Sequence, residues 1–179
     1  MKKSEKLKRA FLKPKVMFKR KEFKLTKKGK VFGLTLSNGE QLLCHCPQPF
    51  SSKAFAAIVR RRVGLFVKKA FPTRRSCTIL LDGEPLLHAP EAKAAMKERG
   101  LSALPKWPAY SPDLNPQENV WSWVEKQLRK QEHKSDSFTD FKRKLTHVAA
   151  AYPNASGLVS SMSRRVAMCI EKNGDVIKT

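Results

Sequence analysis

The stretch Ser111-Pro112-Asp113-Leu114-Asn115-Pro116-Gln117-Glu118 fixes the start of a helix almost to the residue. Asn115 is a good N-cap, and Pro116 suits the first helical position, where no backbone N–H is needed. Glu118 falls at the third position, from which a carboxylate can return to the cap residue in a capping box. Val120, Trp121, Val124 and Leu128 then supply an inward stripe at helical spacing. Upstream, Cys77–Leu81 is an apolar run of strand length that closes on Asp82. The interval between Asp82 and Glu118 holds one helix, one strand and a loop. Such a layout can bring the two carboxylates to one edge of a sheet, where a divalent cation could bridge them.

The elements around this pair alternate in type. Residues 16–25 mix β-forming residues with charge and read as an edge strand or hairpin arm. Val31–Ser37 and Gln41–Cys46 are short apolar runs on either side of Asn38-Gly39, a strong hairpin signal. Ser51–Lys69 changes period: Phe55, Ile58, Val59, Val63 and Phe66 recur at helical spacing, with Arg60, Arg61 and Lys68 elsewhere on the surface. Pro90–Arg99 reads as a helix closed by Gly100, Leu101–Leu104 as a short strand, and Pro105–Pro116 as a loop. Two further helices are expected at Phe138–Ala151 and Ala155–Glu171, the second ended by Asn173-Gly174. The pattern predicts an α/β fold, a mixed sheet covered by helices.

A chain of 179 residues, 41% of them hydrophobic, can bury a sizeable core in one domain. Its net charge of +22 favours a polyanionic partner, and nucleic acid fits best. The charge is uneven: residues 1–30 carry fourteen Lys and Arg against Glu5 and Glu22. That arm reads as a phosphate-binding or nuclear-import segment. No apolar stretch approaches the roughly 20 residues that span a bilayer, and no signal-peptide core is present, so a membrane partner is not expected. The expected compartment is cytosolic or nuclear.

The four cysteines suit such a compartment as free thiols. Cys44-His45-Cys46 raises the thought of zinc, but alternation along a strand points His45 away from both thiols, and Cys77 and Cys169 lack finger spacing. Buried strand cysteines are the simpler reading. Spacing alone also leaves the acids open. Asp82 is either a ligand at a strand's carboxyl end or a loop aspartate capping the next element. Glu118 is either a metal ligand or the partner of Asn115 in a capping box worth about 1 kcal/mol, and spacing favours the cap. Asp113 is most simply a turn residue, and His88 a candidate ligand or proton carrier. Trp121 and Trp123 lie on opposite sides of their helix, one for the core and one to cover a neighbour or stack on a base.

The run from Trp107 to Trp121, with its Ser-Pro-Asp-Leu-Asn-Pro core, resembles the third catalytic block of Tc/mariner-type DNA transposases, DDE endonucleases with a ribonuclease-H-like fold. In that block the last metal-binding acid corresponds to Glu118, which reverses the preference for a pure cap. Asp82-Gly83-Glu84-Pro85-Leu86-Leu87-His88 is similar to the second block, with Gly83 in place of an asparagine and His88 one residue late. Val31-Phe32-Gly33-Leu34-Thr35 with Gly39 resembles the family's second strand and hairpin. Ser161-Met162-Ser163-Arg164-Arg165 and Gly174-Asp175-Val176-Ile177-Lys178 resemble its C-terminal signature.

The resemblance implies a ribonuclease-H-like mixed sheet flanked by helices over 31–179, after a basic arm or degraded first strand at 1–30. It implies Asp82 and Glu118 as catalytic ligands of Mg²⁺ or Mn²⁺, supported by Glu84 and His88. DNA is the implied partner, with a second copy of the chain as a candidate. Lys19, Arg20, Lys21, Arg60, Arg61 and Arg62 are the expected phosphate contacts. Two departures stand out. No paired helix-turn-helix region fits in residues 1–30. The block expected to bear the first aspartate reads Val16-Met17-Phe18-Lys19-Arg20-Lys21-Glu22, with Arg20 and Lys21 where acids are expected. A guanidinium there repels cations, so the expectation is a shortened, impaired transposase domain for DNA cleavage and strand transfer. The alternative is a non-catalytic basic nucleic-acid-binding protein that keeps the fold.

Overall fold

The computed structural model describes residues 30–105, 107–108, 111–130 and 137–177. The strand expected within 16–25, and Lys19, Arg20 and Lys21, lie outside the described residues.

The first ladder is the hairpin that Asn38-Gly39 announces. Strands β1 (Lys30–Thr35) and β2 (Gln41–Cys46) pair antiparallel, from Lys30 opposite Cys46 to Thr35 opposite Gln41. The turn closes through Gly39 N–H to the Leu36 carbonyl at 2.9 Å and Leu36 N–H to the Glu40 carbonyl at 2.8 Å. Gly39 takes φ +90°, a conformation that glycine adopts without a Cβ penalty.

Ser51 caps the next helix, its Oγ accepting from Ala54 N–H at 3.2 Å. This helix runs as α1 (Ser52–Ile58), a single π turn (Val59–Val63) and α2 (Gly64–Ala70). The inward residues Phe55, Val59, Val63 and Val67 repeat every fourth position. A strict α-helix would rotate that row away from the core, because its period is 3.6. The wider π turn resets the phase, which the apolar spacing alone did not disclose.

Strand β3 (Cys77–Ile79), helix α3 (Pro90–Glu98) and strand β4 (Leu101–Ala103) form a β-α-β unit with β3 and β4 parallel. The ladder is shorter than the apolar run: Leu80 and Leu81 lie beyond it, yet Leu81 is buried. Helix α4 (Pro116–Lys130) follows the loop, and α5 (Phe138–Ala150) packs against it. The single helix expected over Ala155–Glu171 is two, α6 (Ala155–Ser160) and α7 (Met162–Glu171). The break lies at Ser161, beside two serine hydroxyls that bond back to backbone: Ser160 Oγ to the Gly157 carbonyl and Ser161 Oγ to the Leu158 carbonyl.

The hairpin separates two apolar clusters. Phe32, Leu34 and Leu42 face one built from α1, α2, α3 and β3, centred on Phe55, Val59, Val63 and Met96. Val31 and Leu43 face the other, built from Val120, Val124 and Leu128 of α4 with Leu145 and Val148 of α5. Alternation along each strand produces this two-sided burial. The result is a mixed α/β architecture of small sheets flanked by helices. No helix among the described residues is long and apolar enough to cross a membrane.

Candidate active site

Asp82 stands three residues past the end of β3, anchored by buried Leu81 before it. Its loop is closed by local bonds. Asp82 Oδ1 accepts from Gly83 N–H at 2.7 Å, and His88 Nε2 donates to the Asp82 carbonyl at 2.7 Å. A carbonyl only accepts, so the imidazole carries its proton on Nε2. Pro85–His88 forms the 3₁₀ turn that brings His88 back over the loop. Glu84 is engaged with Lys30 Nζ at 2.9 Å, tying the loop to the first residue of β1. Thus His88 and Glu84 hold the surroundings of Asp82, one through its backbone and the other through the neighbouring strand.

Glu118 sits in the first turn of α4, half-buried. The capping box expected from spacing is incomplete. Asn115 Oδ1 accepts from Gln117 N–H at 3.1 Å, while the Asn115 N–H is taken by the Pro112 carbonyl at 3.0 Å. The cap therefore does without the Glu118 carboxylate. Burial pushes the Glu118 pKa up, and the negative charge of Asp82 pushes it further in the same direction. The two acids that the sequence separates are close enough to repel each other.

The helix bearing Glu118 is held from two sides. Thr35 Oγ1 donates to Gln117 Oε1 at 3.0 Å, and the Trp121 ring lies over Gly33, where an added Cβ would be 2.5 Å from Cζ2. On the other side Arg165 of α7, only 4% exposed, donates from Nη1 to Asn119 Oδ1 and to the Asp113 carbonyl, both at 3.0 Å, and from Nε to Ser161 Oγ at 2.9 Å. Asp113 is more than a turn residue: its Oδ2 accepts from Ile177 N–H at 2.9 Å. Arg165 escaped sequence reasoning as anything beyond part of a signature. The available signal was a basic residue three positions after Met162 and four before Cys169, on the half-buried side of a helix.

Both tryptophans pack internally. Trp121 lies against Gly33, and Trp123 covers a neighbour, meeting Tyr152 edge-on with centroids 5.4 Å apart. Of the expected phosphate contacts, Arg60 is gripped by Glu98 through Nε at 2.6 Å and Nη2 at 2.8 Å, whereas Arg61 and Arg62 are exposed. Cys44 and Cys46 are buried and His45 is exposed, as alternation predicts. Burial raises the Cys44 thiol and pushes Cys46 up to about 11, which disfavours the thiolates that zinc needs. Among the described residues no group of three or more His, Cys, Asp and Glu converges as a metal site. Asp82 and Glu118 would offer a cation hard oxygen donors, which suit Mg²⁺ or Mn²⁺ better than zinc.

Residues 16–142, well over half of the chain, match the family described as DDE superfamily endonuclease. The chain belongs to that family. The DDE domain is also similar to solved structures of the Mos1 mariner transposase catalytic domain. One shares 16% identity at a TM-score of 0.57, with 84% of this chain and 82% of that one covered. Another, described as the Mos1 transposase catalytic domain and raltegravir with Mg, shares 16% identity at a TM-score of 0.56, covering 84% of each chain. At that identity the likeness establishes the ribonuclease-H-like fold of the DDE domain. No curated protein matches it.

Proposed function

We propose that this DDE domain nicks DNA with a single divalent cation, Mg²⁺ or Mn²⁺, held between Asp82 and Glu118. The observation that carries the reading is the half-buried Glu118 carboxylate, left unused by its own helix cap and destabilised by Asp82. A half-buried carboxylate facing the charge of Asp82 is costly to ionise, and a cation between the two acids would offset that cost. When bound, such a cation lowers the pKa of a coordinated water and offsets charge on the leaving oxygen. The chain's own residues do the positioning. His88 fixes the Asp82 backbone, Asn115 starts the helix that presents Glu118, and Arg61 and Arg62 offer cationic charge to a phosphate backbone. Lys19, Arg20 and Lys21 extend that charge, and residues 1–30 act as the nuclear-import segment.

Strand transfer at element ends, the reaction of a complete transposase, is weakened here because Arg20 and Lys21 occupy the positions expected for the first acid. The test is nicking of supercoiled DNA with and without Mg²⁺. Asp82→Asn and Glu118→Gln abolish Mg²⁺-dependent nicking and keep DNA affinity. A wild-type protein that binds DNA but never nicks it supports the second reading, a non-catalytic nucleic-acid-binding protein, which the charge of +22 favours.

A further inference from the structure

We infer that Arg165 is a positioning residue for Glu118: through Asn119 and Asp113 it fixes the direction in which the first turn of α4 presents that carboxylate to Asp82. The inference rests on the reading that these two acids share a cation. Arg165 is the one buried charged side chain among the described residues, while its neighbour Arg164 is exposed. Its three hydrogen-bond acceptors among the described residues are uncharged, namely the Asp113 carbonyl, the Asn119 amide oxygen and the Ser161 hydroxyl, and the Asp113 carboxylate acts on it only through its charge. A buried guanidinium with uncharged acceptors is a poor device for stability, since burying a charge is expensive. It is a good device for geometry, because a planar fork of donors reaches several acceptors in fixed directions.

Those acceptors lie on three elements that have to agree if Glu118 is to be placed. Ser161 marks the junction of α6 and α7, Asp113 lies in the loop before α4, and Asn119 follows Glu118 in the helix. Successive helix residues are about 100° apart around the axis. Gln117 is tied to Thr35 on one side of Glu118, Asn119 to Arg165 on the other, and Val120 is fully buried in the core. With these neighbours held, the first turn cannot rotate or lift without breaking a bond. The Ile177 N–H bond to the Asp113 carboxylate closes the same loop from the chain's C-terminal side.

The experiment compares Mg²⁺ binding by titration calorimetry in wild type, Glu118→Gln, Arg165→Met and Asn119→Ala, below the melting temperature of each. Glu118→Gln removes binding. Arg165→Met and Asn119→Ala weaken it roughly 10–100-fold while folded, the scale of lost support to a metal ligand. Folded variants that bind Mg²⁺ as tightly as wild type overturn the inference. Should Arg165→Met fail to fold, Asn119→Ala carries the test, because it leaves the guanidinium its bonds to Asp113 and Ser161. Should wild type bind no Mg²⁺, the cation reading fails, and amide hydrogen exchange decides the inference by itself. Exchange at residues 118–121 that is faster in Asn119→Ala than in wild type, with Val63 unchanged, supports a positioning role, and exchange at 118–121 equal to wild type overturns it.

Discussion

The two acids of the proposed site are held in opposite ways. Asp82 depends on its immediate neighbourhood: Gly83 bonds its carboxylate and His88, six residues on, bonds its carbonyl. Glu118 depends on distant chain: Thr35 lies 82 residues from Gln117, and Arg165 lies 46 from Asn119. Bonds within a loop form with it, whereas long-range ties exist only when the whole fold is assembled. The Glu118 side is therefore the one through which damage elsewhere in the molecule should reach the chemistry.

The largest effect sharpens the comparison by removing either acid. Asp82→Asn and Glu118→Gln each lower Mg²⁺-dependent nicking by at least about 100-fold, measured as rate of open-circle formation from supercoiled DNA. Equal losses show one shared ion. If Asp82→Asn retains most activity, the local side of the pair is dispensable and the comparison fails.

Next in size is the effect of cation and pH on stability. The folded-state pKa of Glu118 is raised, so the folded protein binds its proton more readily than the unfolded chain does. Without divalent cation, this group costs nothing below the ordinary glutamate range. It subtracts stability as pH rises through that range and through the raised folded value. Glu118→Gln removes this loss, so at neutral pH in chelator it melts higher than wild type. Saturating Mg²⁺, at about 100 times its Kd, stabilises wild type by about 2.7 kcal/mol, or roughly 5–10 °C in Tm. The gain fades as pH falls and Glu118 takes up its proton. A Mg²⁺ gain of equal size in Glu118→Gln would remove that acid from the binding site.

These differences also explain what could be read in advance. The hairpin, the apolar run into Asp82, the Pro90 helix and the Asn115 cap were all legible, because each is written in contiguous residues: Asn38-Gly39, Thr78–Leu81, Gly100, Asn115-Pro116. The cap even misled in part, since it placed Glu118 in a capping box whose return bond the Pro112 carbonyl had already filled. What stayed hidden was non-local. The π turn at Val59–Val63 answers to packing on α3, the helix break at Ser161 to serine back-bonding, and the burial of Arg165 to acceptors contributed by a loop and a helix far away in sequence. No spacing rule reports a partner 46 or 52 residues distant.

One pair of substitutions sets the two sides against each other directly. Gly33→Ala places a Cβ 2.5 Å from the rigid Trp121 ring and 2.9 Å from Gln117 Nε2, so α4 has to move. It costs about 1–3 kcal/mol by overpacking and weakens Mg²⁺ binding along with stability. Gly83→Ala, in the Asp82 loop, meets nothing within 4 Å. Its backbone is not in the left-handed region, so the change is stabilising by about 0.4–1 kcal/mol through the unfolded state and leaves Mg²⁺ affinity as it was. Denaturant melts of the two variants, each with a Mg²⁺ titration, read both effects. Loss of Mg²⁺ affinity in Gly83→Ala would show that the local side is as sensitive as the distant one.

The smallest effect tests a long tie on the Asp82 side. Lys30 and Glu84 form an ion pair with half of the lysine side chain exposed, on charges that water and salt screen. Lys30→Ala should therefore cost no more than about 0.2–1 kcal/mol and should do so only at low ionic strength. Because Gly83 N–H and His88 still hold Asp82 after that change, nicking and Mg²⁺ affinity should stay at the wild-type level. A large fall in Mg²⁺ affinity in Lys30→Ala, with the fold intact by circular dichroism, would mean that β1 positions Asp82 as it positions Gln117 on the other side. In that case both acids depend on the same hairpin, and the contrast between a locally held and a remotely held ligand disappears.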